Sequence, residues 1–294
     1  MDKANMRCMR FSGLLVIGLC AVLSGCSLKT IALKSSVDLM NGGISAFYEE
    51  EDLELAEQAM GSNIKLLETF LKNDPDNEKL LLLTCQGFGG YAFLFIEDKA
   101  PRRASRFYER AKNYGKKLLT KKGFAPDTWQ REAQVDEILK KATVKDVPAF
   151  FWTSYSWVSW INLNKNSPEA IIDTPFVVKM VKRMAELDPS YEHGVADALL
   201  GSYYASRSRL LGGDPEKAKE HFDKAIKTGG GKFLLTYVLY AQMYAYQMQD
   251  KELFENLLGK VMDAPTDILP EQNLSNRVAK QKARNLLEKI NELF

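Results

Sequence analysis

The chain matches itself. Shifted by 114 residues with no gap, Asp74-Pro75 falls on Asp188-Pro189, Glu78 on Glu192, Gly87 on Gly201 and Pro101 on Pro215. Ala104 falls on Ala218, Ala111 on Ala225 and Gly115 on Gly229, while Tyr108 meets Phe222. These are eight identities over 42 positions, at residue types that end helices or let them approach. A unit repeated along one chain buries its apolar face against its neighbour, so the two copies belong to one continuous body.

The rest of the pattern is helical. Leu53, Ala56, Met60, Ile64, Leu67 and Leu71 recur at three- and four-residue steps, as do Val177, Met180, Val181, Met184 and Leu187. Such stripes mark amphipathic helices that pack on one another. Prolines and glycines at 74–75, 126, 148, 188–189, 212–215, 229–231, 265 and 270 punctuate them. The spacing predicts further helix pairs over 36–73, 148–187 and 233–262, an extra helix within 127–145, and a last helix through Val278 and Ile290. The expected fold is all-α, with related halves at about 36–147 and 148–294.

Each copy resembles a tetratricopeptide (TPR) repeat, a pair of antiparallel helices. Gly201 and Tyr204 mark the first helix, and Ala218, Phe222 and Ala225 the second; Gly87, Ala104, Tyr108 and Ala111 repeat the set, with Pro75 and Pro189 as terminators. Small residues let two helices approach, and the aromatic fills the groove between them. The 17 residues from Gly201 to Ala218 exceed the usual spacing, which points to a specialised variant. The resemblance implies a TPR-like α-solenoid of helical hairpins.

The N-terminus reads as an address. Lys3, Arg7 and Arg10 precede an apolar run, Phe11–Leu23, and Ser24-Gly25-Cys26 follows. This is the layout of a secretory signal peptide over 1–25. Leu23-Ser24-Gly25-Cys26 looks like the lipobox of bacterial lipoproteins, which implies cleavage before Cys26, lipid on its sulfur, and a tethered linker over 26–35. Two or more acyl chains hold a protein on a membrane where one does not. Cleavage would remove Lys3, Arg7, Arg10 and Asp2 from totals of 40 basic and 38 acidic residues, leaving 37 of each. A neutral body offers no basic field for nucleic acid. Cys85 would be the one thiol left free, so no internal disulfide is expected.

Lipobox, neutral body, paired long repeats and the segment FFWTSYSWVSWINL together resemble the T component (TatT) of tripartite ATP-independent periplasmic (TRAP) transporters. That resemblance implies a lipid-anchored protein facing the periplasm, partnered with the system's extracytoplasmic solute-binding protein and forming a homo-oligomer. It implies no catalytic residue and no cofactor. The alternative is a TPR lipoprotein scaffold for envelope assembly, with protein ligands only.

Two groups of residues are candidates for ligand contact. Trp152, Tyr155, Trp157 and Trp160 surround one helix on several sides, which suits either core packing or an apolar cavity. Arg207 and Arg209 fall where the first copy has Phe93 and Phe95. A planar guanidinium fork suits carboxylate or phosphate, so the two read either as a solvated face with a salt bridge or as a pair of which one faces a cavity or partner. The run Lys227–Lys232 lacks the P-loop pattern and reads as a helix end with its loop. His193 and His221 lack metal-type spacing, and Cys85 sits among leucines that favour burial. No acid–base or nucleophile constellation is visible.

Overall fold

A computed structural model describes residues 31–129 and 131–294. Cys26 and the segment read as a signal peptide lie outside the described residues. Helix makes up 79% of the structure and no strand occurs among the described residues, so the fold is all-α. The chain divides into two units at Ile44/Ser45, of which the first is described over residues 31–44 and the second is Ser45–Phe294. Of the first, residues 31–42 are helical (α1), so residues 31–35 of the segment read as a linker are helix.

The second unit holds α2 (Ser45–Tyr48), α3 (Leu53–Asn73), α4 (Glu78–Tyr91), α5 (Pro101–Lys121), α6 (Glu132–Leu139) and α7 (Val147–Leu163). It continues with α8 (Pro168–Leu187), α9 (Val195–Ala205), α10 (Pro215–Thr228), α11 (Leu235–Tyr240), α12 (Lys251–Asp263), α13 (Asn273–Glu288) and α14 (Ile290–Leu293). Local chemistry sets the limits. The Asp52 carboxylate accepts from the amides of Glu54 and Leu55 at the start of α3, and the Asp214 carboxylate accepts from Lys217 at the start of α10. Pro101, Pro168 and Pro215 each open a helix, where a missing N–H costs nothing. Asp74 and Asp188 cap the ends of α3 and α8, each followed by an exposed proline.

Neighbours in sequence are neighbours in space from α3 through α13, with the short α6 resting on α8. The helix α5 lies against both α4 and α7. Its buried face is Ala104, Tyr108, Ala111, Gly115, Leu118 and Leu119. Contact with α7 is close: a Cβ on Gly115 would lie 2.9 Å from Thr153 Cβ, and one on Gly89 of α4 would lie 2.6 Å from Ser156 Oγ. The duplicated positions are core. Ala104, Tyr108, Ala111, Ala218, Phe222 and Ala225 all have no exposed surface. Each large ring fully removed from water contributes about 1.5–3 kcal/mol.

The copies use their first glycine differently. Gly87 on α4 faces Ile64 of α3, whereas Gly201 on α9 faces the Phe222 ring of α10. They also end their first helix differently. After Tyr91 the α4 helix runs into a π-helical turn, Ala92–Ile96, and α11 does the same at Ala241–Ala245. The counterpart α9 stops at Ala205 and gives way to a loop. The whole stretch 78–96 is long and apolar enough to cross a membrane, but most of it is packed inside the protein.

The last long helix returns to the first ones. Besides α11 and α12, α13 packs on α2 and α3. Arg277 pairs with Glu51, Asn273 approaches the Glu49 carbonyl at 3.5 Å, and Lys282 reaches Asp98 at 2.7 Å. The two ends of this unit therefore meet.

Candidate functional site

The loop after α9 creates the most distinctive site. Where α4 continues as a π turn and buries Phe95, the second copy leaves its α-helix at Ala205, makes one 3-10 turn at Arg209–Leu211 and regains α-helix at Pro215. The Asp214 amide bonds back to the Tyr204 carbonyl at 3.0 Å, and the Gly213 amide to the Ser208 carbonyl at 2.9 Å. Gly213 runs so close to the Arg207 carbonyl that any Cβ would collide with it, and Gly212 adopts φ 86°, a conformation that favours glycine. The loop is thus held tightly, and it fixes Arg207 beside the ends of α7 and α8.

Between α7, α8 and α9 lies a small cleft open to solvent. Val158, Val177, Val178, Val181 and Leu199 form its walls. Arg207 is the one charged residue that lines it. Its Nη2 donates to Thr174 Oγ1 at 3.2 Å, and the guanidinium carbon lies 4.9 Å from the centre of the Tyr203 ring. Its Nε is buried without a hydrogen-bond partner. Among the described residues no carboxylate pairs with it. The hydroxyls nearby have spent their protons: Thr174 donates to Ala170 O at 2.7 Å and Ser202 to Ala198 O at 2.8 Å. Pro175 follows Thr174 inside α8 and removes one ladder hydrogen bond there.

Arg209, two residues on, is placed elsewhere. It makes a two-oxygen ion pair with Glu216 at 3.0 and 3.1 Å, with both side chains about 70% exposed. That is a solvated surface pair, so of the two arginines only Arg207 faces the cleft. The aromatic group divides as well. Trp157 and Trp160 are buried, with Trp157 Nε1 donating to Asp173 at 2.7 Å and the Lys112 ammonium 3.6 Å from the Trp160 ring centre. Trp152 and Tyr155 keep partial exposure on a different face of α7.

Tyr155 belongs to a second polar group that the sequence did not indicate. Its ring meets Tyr108 and Phe93 edge-on, and Tyr108 donates to Glu97, at the end of the first π turn. Burial pushes the Glu97 carboxyl up in spite of that hydrogen bond and the Lys282 charge. Glu192 is half-buried and its carboxyl is also pushed up, by burial alone. Glu192 and His193 both hold left-handed backbone, φ 44° and 59°, at about 1–3 kcal/mol each. Their aligned counterparts, Glu78 and Lys79, lie in the regular first turn of α4, so nothing in the residue types marks the difference.

Other candidates take ordinary places. Cys85 is buried and its thiol is pushed up to about 12 by burial, as its leucine neighbours suggest. His221 bonds Asp197 at 2.8 Å, and His193 stacks on Phe233. Gly229 caps α10, and Gly230 and Gly231 turn the loop at φ 61° and 72°. Among the described residues no group of three His, Cys, Asp or Glu side chains is placed to hold a metal.

A family model described as "TRAP transporter T-component" matches residues 49–294. The chain belongs to that family. The match covers every helix from α3 to α14, including the cleft and both copies of the repeat. The family is an accessory component of a transporter, not an enzyme family, and membership associates the chain with TRAP transporter components and the cell envelope. An uncharacterized protein of Treponema pallidum (strain Nichols) is 24% identical over 307 residues, covering 94% of this chain and 95% of that protein.

Proposed function

We propose that this chain is the membrane-anchored accessory protein of a TRAP-type uptake system, docking the extracytoplasmic solute-binding protein and holding or passing the solute. The observation that carries this reading is the family match over 49–294. The helical body serves as a TPR-like stack whose hairpins present a partner surface. Cys26 carries the lipid, and the body faces the periplasm as a homo-oligomer.

The surface near the cleft supports docking. Leu210 and Leu211 are 97% and 68% exposed, and Ile171 and Ile172 are 64% exposed. Leu210 follows Arg207 by three residues and Ile171 precedes Thr174 by three, while Arg207 and Thr174 are hydrogen-bonded to each other. Exposed large apolar residues suit protein–protein contact.

The test is co-purification of the full-length protein, in detergent, with the solute-binding protein of its own transporter. A specific complex, weakened when Leu210 and Leu211 are both replaced by serine, supports the reading. Recovery of other envelope proteins without the solute-binding protein favours the scaffold alternative. Fatty-acid labelling that disappears in Cys26→Ser tests the anchor.

A further inference from the structure

We propose that the segment 45–52, which carries α2, is a hinged strap: it closes over Gln86, Tyr191 and Glu192 and lifts away while the helices behind it stay folded. The inference rests on neither the docking nor the anchor reading.

The first reason is how the strap is held. The helix α2 is a single turn, and none of its four residues is buried. A lone turn does not hold itself, so its place depends on contacts to other elements. Those contacts are polar. Gln86 Nε2 donates to Tyr48 Oη at 2.6 Å, and Arg277 pairs with Glu51, whose side chain is 64% exposed. Asn273 Nδ2 only just reaches the Glu49 carbonyl and Glu51 Oε1, at 3.5 Å each. An ion pair this open to water contributes little. On the α13 side of the seam, Asn273 Oδ1 and Arg277 Nε are buried without a hydrogen-bond partner. Well-fitted seams satisfy such atoms, so this one is loosely made. A segment with few buried apolar contacts opens at the low end of the stability range.

The second reason is what it spans. Tyr48 reaches α4 through Gln86, and Glu49 and Glu51 reach α13. The start of the second copy closes the third side: burial, and after it the neighbouring Glu192 and Tyr191, push the Tyr48 phenol up. Gln86, Tyr191 and Glu192 keep partial exposure under this cover, and the Tyr191 ring continues inward to Phe151, with centres 5.6 Å apart. Lifting the strap would therefore uncover a carboxyl, an amide and a phenol together.

The third reason is the hinge. The Glu50 carboxylate accepts from the amides of Glu51 at 2.7 Å and Asp52 at 2.8 Å, and Asp52 in turn caps α3. These bonds are local, so α3 keeps its start whether the strap is down or up. A short segment beside a fixed helix end is where hinge motion concentrates.

The experiment uses full-length Gln86→Cys protein in detergent, reacted with a small charged methanethiosulfonate and read residue by residue by peptide mass spectrometry. Cys85 next to it is fully buried and serves as the internal control, since it reacts only when α4 unfolds. The cysteine at position 86 should react, and Arg277→Gln should speed it by about tenfold with Cys85 still unlabelled. Asn273→Asp, which sets a second carboxylate against Glu51, should do the same. Lys280→Gln, on α13 but bonded to the Met262 and Ala264 carbonyls, should leave the rate unchanged. Because the cysteine at 86 also removes the bond to Tyr48, hydrogen exchange on the parent protein carries a second reading: amides 46–50 should exchange about a hundredfold faster than amides 82–88 of α4. Circular dichroism checks that each variant folds. A rate at 86 that neither seam variant moves, labelling of Cys85 in step with 86, or exchange over 46–50 as slow as in α4 would overturn the proposal. So would a cysteine at 86 that reacts as fast in the parent background as one placed at the exposed Gln58, since nothing would then cover it.

Discussion

Replacing Gly201 with alanine adds one methyl at a place where α9 touches α10. The new Cβ would lie 2.8 Å from Phe222 Cδ2 and 3.0 Å from two further ring carbons. The ring cannot withdraw: it has no exposed surface, and it stacks on Tyr240 with centroids 4.6 Å apart. Overpacking of this kind costs about 1–3 kcal/mol, and alanine returns about 0.5–1 kcal/mol as the better helix former. The net expected loss is about 1–2 kcal/mol. Gly259, inside α12, supplies the control, since a Cβ there meets nothing within 4 Å. Gly259→Ala should therefore gain about 0.5–1 kcal/mol from the same chemical change. For a body of this size 1 kcal/mol moves Tm by about 2–4 °C, so thermal denaturation followed by circular dichroism should show shifts of opposite sign. The coupling is a sharper check. In a Phe222→Leu background, where the ring is gone, the Gly201→Ala loss should shrink to near zero. A Gly201→Ala protein as stable as the parent, or a loss unchanged in the leucine background, would refute this packing account.

Asp197 is fully buried and holds His221 at 2.8 Å and Lys224 at 3.0 Å. Burial alone would raise its carboxyl, but hydrogen bonds from these two and then their charges hold it below the usual range. Asp197→Asn should cost about 1–2 kcal/mol at neutral pH, and because a depressed acid stabilises above its unfolded pKa, that difference should fade as pH drops through the native value in urea titrations. Glu192 has the opposite sign: its raised carboxyl opposes folding when charged, so Glu192→Gln should stabilise by roughly 1 kcal/mol at pH 7, and the advantage should shrink on acidification. Arg209→Ala removes a pair about 70% exposed on both sides and should change stability by under about 0.5 kcal/mol.

Much of this was legible in the residues because it is local. The eightfold match between copies located α4–α5 and α9–α10, and its alanines and aromatics are core in both. Stripes at helical period placed α3 and α8, and the prolines and glycines marked breaks between helices. What was not legible depends on geometry that residue type leaves open. Arg207 and Arg209 are two residues apart in a loop with no period, and only the fold shows that the first lines the cleft and the second pairs with Glu216 at the surface. Thr174 looks like any helical threonine until its hydroxyl is seen committed to Ala170. Four aromatics in nine residues gave no way to tell the buried Trp157 and Trp160 from the half-open Trp152 and Tyr155. The return of α13 onto α2 and α3 joins residues more than 200 positions apart, such as Asn273 and Glu49, and no local pattern records such a contact.

The measurement closest to the central claim is sedimentation of a mixture of the full-length protein, in detergent, with the solute-binding protein of its own transporter. A faster-moving complex that forms at micromolar concentrations and weakens when Leu210 and Leu211 become serine is the expected result. Two boundaries that sediment independently, with and without solute, would contradict it.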